Sequence, residues 1–161
     1  MKKIILVMMF GLLCTAMAQA TKGDFSVAGQ FSYGSYKSHW GLGMQLQYEP
    51  ATNFRIAPEF NYYFKTGDRY HSDRYSMINV SLNLHYLIPL SHMFTVYPLA
   101  GFAYNHYEWE YSNNEDKCGA NVGCGVEYRL NRNITFFKEE RFQIVSDYNQ
   151  YVSFLGFKYT F

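Results

Sequence analysis

Five histidines, thirteen carboxylates and three cysteines are the groups of this chain that could do acid–base, nucleophilic or metal chemistry. His71-Ser72-Asp73 holds the residue types of a nucleophilic triad. Consecutive side chains on an extended chain point apart, however, so the three cannot converge there. His106 with Glu108 is the other base–carboxylate candidate, and no His-x-Ser pair occurs. For both, polar loop residues in water are the expectation. His39, His85 and His92 are scattered and make no metal-ligand spacing. Glu108, Glu110, Glu115 and Asp116 form an acidic run that could attract cations, but it has no EF-hand pattern. No metal and no cofactor is therefore expected. Cys118 and Cys124, if on one strand, stand roughly 20 Å apart, too far for a disulfide without a turn between them, so two free thiols are expected.

The elements that must carry these residues declare themselves by alternation. Aromatics are 20% of the chain, with 14 Phe, 16 Tyr and 2 Trp, and proline is scarce at 4. Such residues suit pleated, half-buried surfaces rather than a helical bundle or a disordered segment. From residue 25 onward, apolar and polar or small residues alternate with period two in eight segments. They are 25–33, 40–49, 54–64, 78–86, 94–105, 119–130, 133–144 and 151–161. Trp40, Leu42, Met44, Leu46 and Tyr48 against Gly41, Gly43, Gln45, Gln47 and Glu49 is the cleanest case. Period two over about ten residues means a strand with one apolar face. Long polar connections (Lys65 to Arg74, His106 to Lys117) alternate with short ones (Pro50 to Asn53, Asn131-Arg132). The expected fold is all-β: an eight-stranded antiparallel up-and-down transmembrane β-barrel.

Residues 1–20 stand apart. Lys2 and Lys3, the apolar run Ile4 to Leu13, and Ala18-Gln19-Ala20 make a secretory signal peptide, with the mature chain beginning at Thr21. The domain division is thus 1–20 signal peptide, cleaved, and 21–161 barrel. Loss of Lys2 and Lys3 leaves 12 basic against 13 acidic residues, with no basic stripe. Nucleic acid is therefore not an expected partner.

Which face of the barrel is outside follows from volume. About half of the apolar face is Phe, Tyr or Trp, and the interior of an eight-stranded barrel holds only ordinary side chains. The aromatic face must look at lipid. Strands of eleven residues tilted by about 40° rise roughly 28 Å, enough to cross a hydrocarbon core. Tyr33, Trp40, Tyr48, Tyr86, Tyr104, Tyr128, Tyr151 and Tyr159 gather near strand ends, as interfacial girdles do. The inward parity then carries Arg55, Glu59, Glu127, Arg129, Glu139, Arg141 and Lys158, which must pair with one another to be tolerated. A structural polar core is the expected role of this network, and an ion or proton path is the alternative.

The signal peptide, the eight segments, Tyr97-Pro98-Leu99-Ala100-Gly101-Phe102, Gly123-Cys124-Gly125-Val126-Glu127-Tyr128-Arg129-Leu130 and the terminal Phe161 resemble the small outer-membrane β-barrel domain family, in particular its eight-stranded OmpX/OmpA-type barrels. The likeness covers essentially all of 21–161. It implies the outer membrane of a Gram-negative bacterium with both termini periplasmic. It also implies contact with outer-membrane lipids and lipopolysaccharide, and handling by periplasmic chaperones and the barrel-assembly machinery. Phe157, Tyr159 and Phe161 match the terminal aromatic alternation that this machinery reads in the family.

The family serves structural, adhesive and occasionally enzymatic roles. The expected function is a non-enzymatic envelope structural or surface-interaction role with a closed polar lumen. A small porin-like channel is the alternative, and a lipid A-modifying enzyme the third. Tyr107, Trp109 and Tyr111 in one loop and Tyr70 in another could form an adhesive surface or extend the girdle. Two departures stand out. Pro58 and Pro98 lie inside strands, where a bulge or a local break is expected. Lys138-Glu139-Glu140-Arg141 places two charges toward lipid in either register, at about 2–4 kcal/mol for a midplane Lys. The expected arrangement has Glu139 and Arg141 inward.

Overall fold

The computed structural model describes residues 23–35, 38–66, 75–109, 113–146 and 149–161. The signal-peptide segment, Thr21, Tyr70, His71-Ser72-Asp73, Glu110 and Tyr111 lie outside them. Eight long strands follow in chain order: β1 (Phe25–Gly34), β2 (His39–Ala51), β3 (Phe54–Thr66), β4 (Tyr75–Tyr86), β5 (Phe94–Trp109), β6 (Glu115–Arg129), β7 (Ile134–Val145) and β8 (Gln150–Thr160). Each pairs antiparallel with its sequence neighbours, and β8 returns to β1, so the sheet closes into a barrel. A two-residue piece, Ile88–Pro89, extends the β4–β5 ladder.

The pairing fixes the barrel's width. Starting at Phe25 and stepping through Tyr48, Ile56, Leu84, Ala100, Val122, Phe142 and Tyr151 returns to β1 at Ser35, ten residues further along. A stagger of ten over eight strands corresponds to a tilt of about 43° and a backbone diameter of about 16 Å. That space takes side chains and little else.

The turns at one rim have local causes. Asn131 Oδ1 accepts from the backbone N–H of Asn133 (3.0 Å) and Ile134 (2.7 Å), closing the β6–β7 turn. Ser91 Oγ likewise accepts from the N–H of Met93 (3.3 Å) and Phe94 (3.1 Å) in the β4–β5 turn. Such side-chain acceptors replace ladder partners where the chain reverses. The start of β1 and the C-terminal Phe161 lie at this short-turn rim, where the Phe161 N–H donates to the Phe25 carbonyl at 3.1 Å. The other strand ends, Gly34, His39, Thr66, Tyr75, Trp109, Glu115, Val145 and Gln150, form the opposite, long-connection rim.

Neither internal proline causes a bulge. The β2–β3 ladder skips Ala57 and Pro58 and resumes at Ile56 in the same register. Beside Pro98 the ladder runs from His85–Leu99 to Ile88–Val96, again without a shift. The missing N–H opens a gap on one side of the strand only, since Pro58 still faces Leu82 and Pro98 still faces Cys124. The register shifts lie elsewhere, near strand ends at Tyr48/Ala51 and Tyr63/Thr66.

The alternation sorts the two faces as volume demands. Trp40, Leu42, Met44, Phe60, Leu82, Phe102, Val122, Leu155 and Phe157 are exposed on the outer surface. Phe54 meets Tyr86 at 5.4 Å, Tyr33 meets Trp40 at 4.6 Å and Tyr159 meets Phe161 at 5.2 Å between ring centroids, forming aromatic contacts at both rims. Cys118 and Cys124 are free and exposed on β6. The hairpin of β5 and β6 is longer than expected. Most of the segment His106 to Lys117 is strand, paired as far as Tyr107–Glu115, whereas β7 engages β6 only up to Gly119. On its other side β5 stays paired with β4 as far as Tyr75–Trp109, so it is the β6 arm, Glu115 to Cys118, that extends past its neighbour β7 at the long-connection rim.

Candidate functional site

The inward face builds a lumen in layers. Nearest the short-turn rim, Arg55 of β3 reaches across to Glu127 of β6 with Nη1 at 2.6 Å from Oε1 and Nη2 at 3.2 Å from Oε2, a bidentate pair. Lys158 of β8 donates to the same carboxylate at 2.8 Å. The other side of the Arg55 fork donates to Glu49 Oε1 from Nε at 3.0 Å and Nη2 at 2.7 Å. Every face of this guanidinium is thus used, as a buried charge requires.

The next layer centres on Arg141 of β7, which donates to both Glu59 of β3 and Glu139 of its own strand. Glu59 and Glu139 are fully buried and Arg141 is 2% exposed. Tyr97 donates its hydroxyl to Glu139 at 2.9 Å, and Gln45 donates to Glu59 at 3.1 Å. The guanidinium carbon of Arg141 also lies 4.2 Å from the Phe154 ring centroid. His85 stacks on Tyr97, ring centroids 4.7 Å apart and 9° from parallel.

Above the charges runs an amide layer. Asn61 donates to Asn79 (3.1 Å), Asn79 to Asn105 (2.8 Å), Gln143 to Asn121 (3.0 Å), Asn121 to Asn83 (3.0 Å) and Gln150 to Gln143 (2.7 Å). Amides give and accept in turn, so they can cross-link strands without net charge. At the long-connection rim the lumen ends in an apolar plug of Tyr63, Tyr75, Met77, Tyr107, Val152 and Phe154, all buried. The Tyr75 hydroxyl and His39 Nδ1 form a hydrogen bond at 3.0 Å within it. At the opposite end, a cavity of about 400 Å³ opens at the short-turn rim, with Asp24, Glu49, Arg129 and Arg132 among its walls. The lumen is a well, open at one end and stoppered at the other.

The expected network is placed as follows. Arg55, Glu59, Glu127, Glu139, Arg141 and Lys158 are buried in the lumen and ion-paired. Arg129 is not part of this buried network. It is exposed at the short-turn rim, where β6 ends, and lines the vestibule instead. Glu49, absent from the expected set, takes a place in the network through Arg55. The parity of β2 already pointed Glu49 inward; its depth was the missing information. Phe157, Tyr159 and Phe161 lie exposed on the outer surface, with Phe157 packed edge-to-face on Phe136 at 5.4 Å.

His106 does meet carboxylates. Its Nδ1 lies 2.5 Å from Asp116 and its Nε2 3.8 Å from Glu108. Both ring nitrogens are engaged from the acidic side, which suits a surface ion cluster rather than a base poised on a hydroxyl. Among the described residues, no group of three or more His, Cys, Asp and Glu is placed to hold a metal.

Residues 4–161 match the family model described as outer membrane protein beta-barrel domain, so the chain belongs to that family. No curated protein sequence matches it significantly. Among solved structures, Neisserial surface protein A shares the fold with a TM-score of 0.67 at 15% identity, over 86% of this chain and 97% of that one. OprG from Pseudomonas aeruginosa gives 0.67 at 16% identity, over 86% and 96%. The attachment invasion locus protein Ail of Yersinia pestis gives 0.59 at 15%, over 86% and 97%. The chain is an outer-membrane β-barrel, and its aromatic outer face is the lipid-facing surface.

Proposed function

We propose that this barrel is a non-conducting, non-enzymatic envelope protein that presents a surface-interaction hairpin to the medium. One observation carries the reading. The lumen is crossed at mid-height by the fully buried Glu59–Arg141–Glu139 layer and stoppered above it by the Tyr63–Tyr75–Tyr107 cluster. A solute would have to break both. The short-turn rim, with the start of β1 and Phe161, faces the periplasm on this reading, as short turns do in such barrels. The end of the β5–β6 hairpin then faces outward. Its Trp109 packs on Tyr75 at 4.9 Å between ring centroids, and Glu108, Asp116 and Lys117 lie on its partly exposed surface. A charged and aromatic rim, held by β4 along β5 and extended by the β6 arm, is suited to contact with lipopolysaccharide or another surface.

Planar-bilayer recordings test the closed lumen. Purified wild-type protein should give no stable ohmic steps. Reproducible steps whose ion selectivity changes in Glu127→Ala would overturn the reading in favour of a small channel. A deletion strain should keep its permeability to small hydrophilic solutes while losing surface binding.

A further inference from the structure

One outward patch breaks the pattern of the lipid-facing surface. Among the described residues, Lys138 and Glu140 are the only charged side chains at outward positions in the middle of the strands. They pair with each other, Nζ to Oε1 at 3.1 Å, with side chains 53% and 27% exposed. Ser153 of β8 donates to the same Glu140 oxygen at 2.9 Å, and Cys124 of β6 sits opposite Glu140 in the register. Glu140 Oε2 is buried with no donor at full hydrogen-bond geometry, although the Tyr151 hydroxyl of β8 interacts with this carboxylate. Around this cluster the outer wall is low. Cys124, Ser153 and Gly29 hold outward positions on β6, β8 and β1, and a Cβ built on Gly29 would meet nothing within 4 Å. The outward residues of β2, β3 and β4 are instead bulky and apolar, as Leu42, Phe60 and Leu82 show.

In hydrocarbon an ammonium with two idle donors and a carboxylate with one oxygen short of a full hydrogen bond are poorly placed, even when they neutralise each other. A second protein surface that satisfies them would be favoured strongly over lipid. The patch has one charge of each sign on a single strand, so it is its own complement. A two-fold axis along the membrane normal, passing beside β7, brings Lys138 of one barrel to Glu140 of its partner and the reverse. The two residues differ in height by about 5 Å at this tilt, which their long side chains can span. The small residues alongside let the two walls approach closely, as small residues do between membrane-spanning elements. We propose that the β6–β7–β8 outer face is a self-association surface and that its occupant is a second copy of this chain. Lys138 and Glu140 close a four-charge ring at the centre of the interface.

The test is sedimentation equilibrium of the folded, full-length mature protein in density-matched micelles, with heat-modifiable gel mobility confirming the fold of every variant. Wild type should sediment as a dimer at micromolar protein. Lys138→Glu puts four carboxylates at the interface and should leave monomer only. The exchange Lys138→Glu with Glu140→Lys restores complementarity and should restore the dimer. Lys138→Leu with Glu140→Leu removes both charges and should give a folded monomer. A monomeric wild type, a Lys138→Glu variant that dimerises as wild type does, or an exchange variant that stays monomeric would each overturn the proposal. In cell envelopes, a bifunctional thiol reagent on Cys124 should yield an adduct of twice the monomer mass. An adduct of any other composition would assign the surface to a different protein and overturn the second copy as its occupant.

Discussion

At the scale of single residues, the lumen shows how little parity alone says about a charged side chain. Arg55, Glu127 and Arg129 alternate inward by the same rule, yet Arg55 and Glu127 are buried partners while Arg129 stands in the open mouth. Parity gives the face; distance from the rim gives the depth, and only closure of the barrel sets that distance. The same gap hid Glu49 and the amide layer, whose members are spread over six strands and meet mostly as cross-strand neighbours once the register is set. The difference has an energetic signature. Glu127→Ala would strand Lys158 and take from Arg55 one of its two carboxylate partners in a buried layer, and should destabilise the barrel by about 3–5 kcal/mol. Arg129→Ala removes an exposed cation and should change stability by no more than about 0.5 kcal/mol. Urea unfolding in detergent–lipid mixtures, followed by tryptophan fluorescence, measures both. Equal losses in the two variants would contradict the placement of Arg129.

At the scale of elements, the strands were legible wherever they cross the apolar zone and illegible where they leave it. Within the bilayer outward residues are apolar save for the Lys138–Glu140 patch, so alternation is enforced from Trp40 to Tyr48 and from Phe54 to Phe64. Beyond it the outward positions are free to be polar. His106, Glu108 and Asp116 occupy outward positions on β5 and β6, and the pattern dissolves into what resembles a loop although the ladder continues to Tyr107–Glu115. Of the two outcomes expected at the prolines, the local break is the one found: a missing N–H opens one side of a ladder without adding a residue, so the register survives. The last strand carries its own prediction. Phe161 is tied to Phe25 by a backbone hydrogen bond and by rings 5.9 Å apart, and it continues the exposed row Phe157–Tyr159. Deleting Phe161 removes one contact from a barrel with eight ladders, too little to abolish the fold. It is nonetheless expected to deplete the heat-modifiable form in cells, because the row matches the terminal aromatic alternation expected to serve as an assembly signal. Purified protein refolded into detergent should be nearly unaffected. Loss of folding in both settings would make Phe161 a structural residue instead.

At the scale of the whole molecule, the fold class followed from alternation and the lipid-facing side from side-chain volume, and six of the seven lumen charges followed from parity, while their depths and the barrel's diameter did not. The barrel's diameter depends on a stagger that accumulates over eight pairings, and no single segment contains it. Processing belongs to this scale too. The mature chain is expected to begin at Thr21, and terminal mass spectrometry of the outer-membrane fraction checks it; an intact Met1 or a lipid on Cys14 would contradict it. The β1–β8 seam has a further consequence. It is a ladder of the same kind as the other seven, running from Ser26–Thr160 to Gly34–Val152, and the start of β1 and Phe161 meet at one rim. The order in which the strands are written along the chain is therefore not a property of the closed sheet. A circular permutant that joins Phe161 to Gly23 by a short linker and opens at Asn131-Arg132 keeps every pairing but the one turn. It should refold in detergent to the same cylinder. In cells its chain would end on Arg129, Leu130 and Asn131 rather than on Phe161, so its insertion yield separates what the barrel needs to exist from what the cell needs to recognise it.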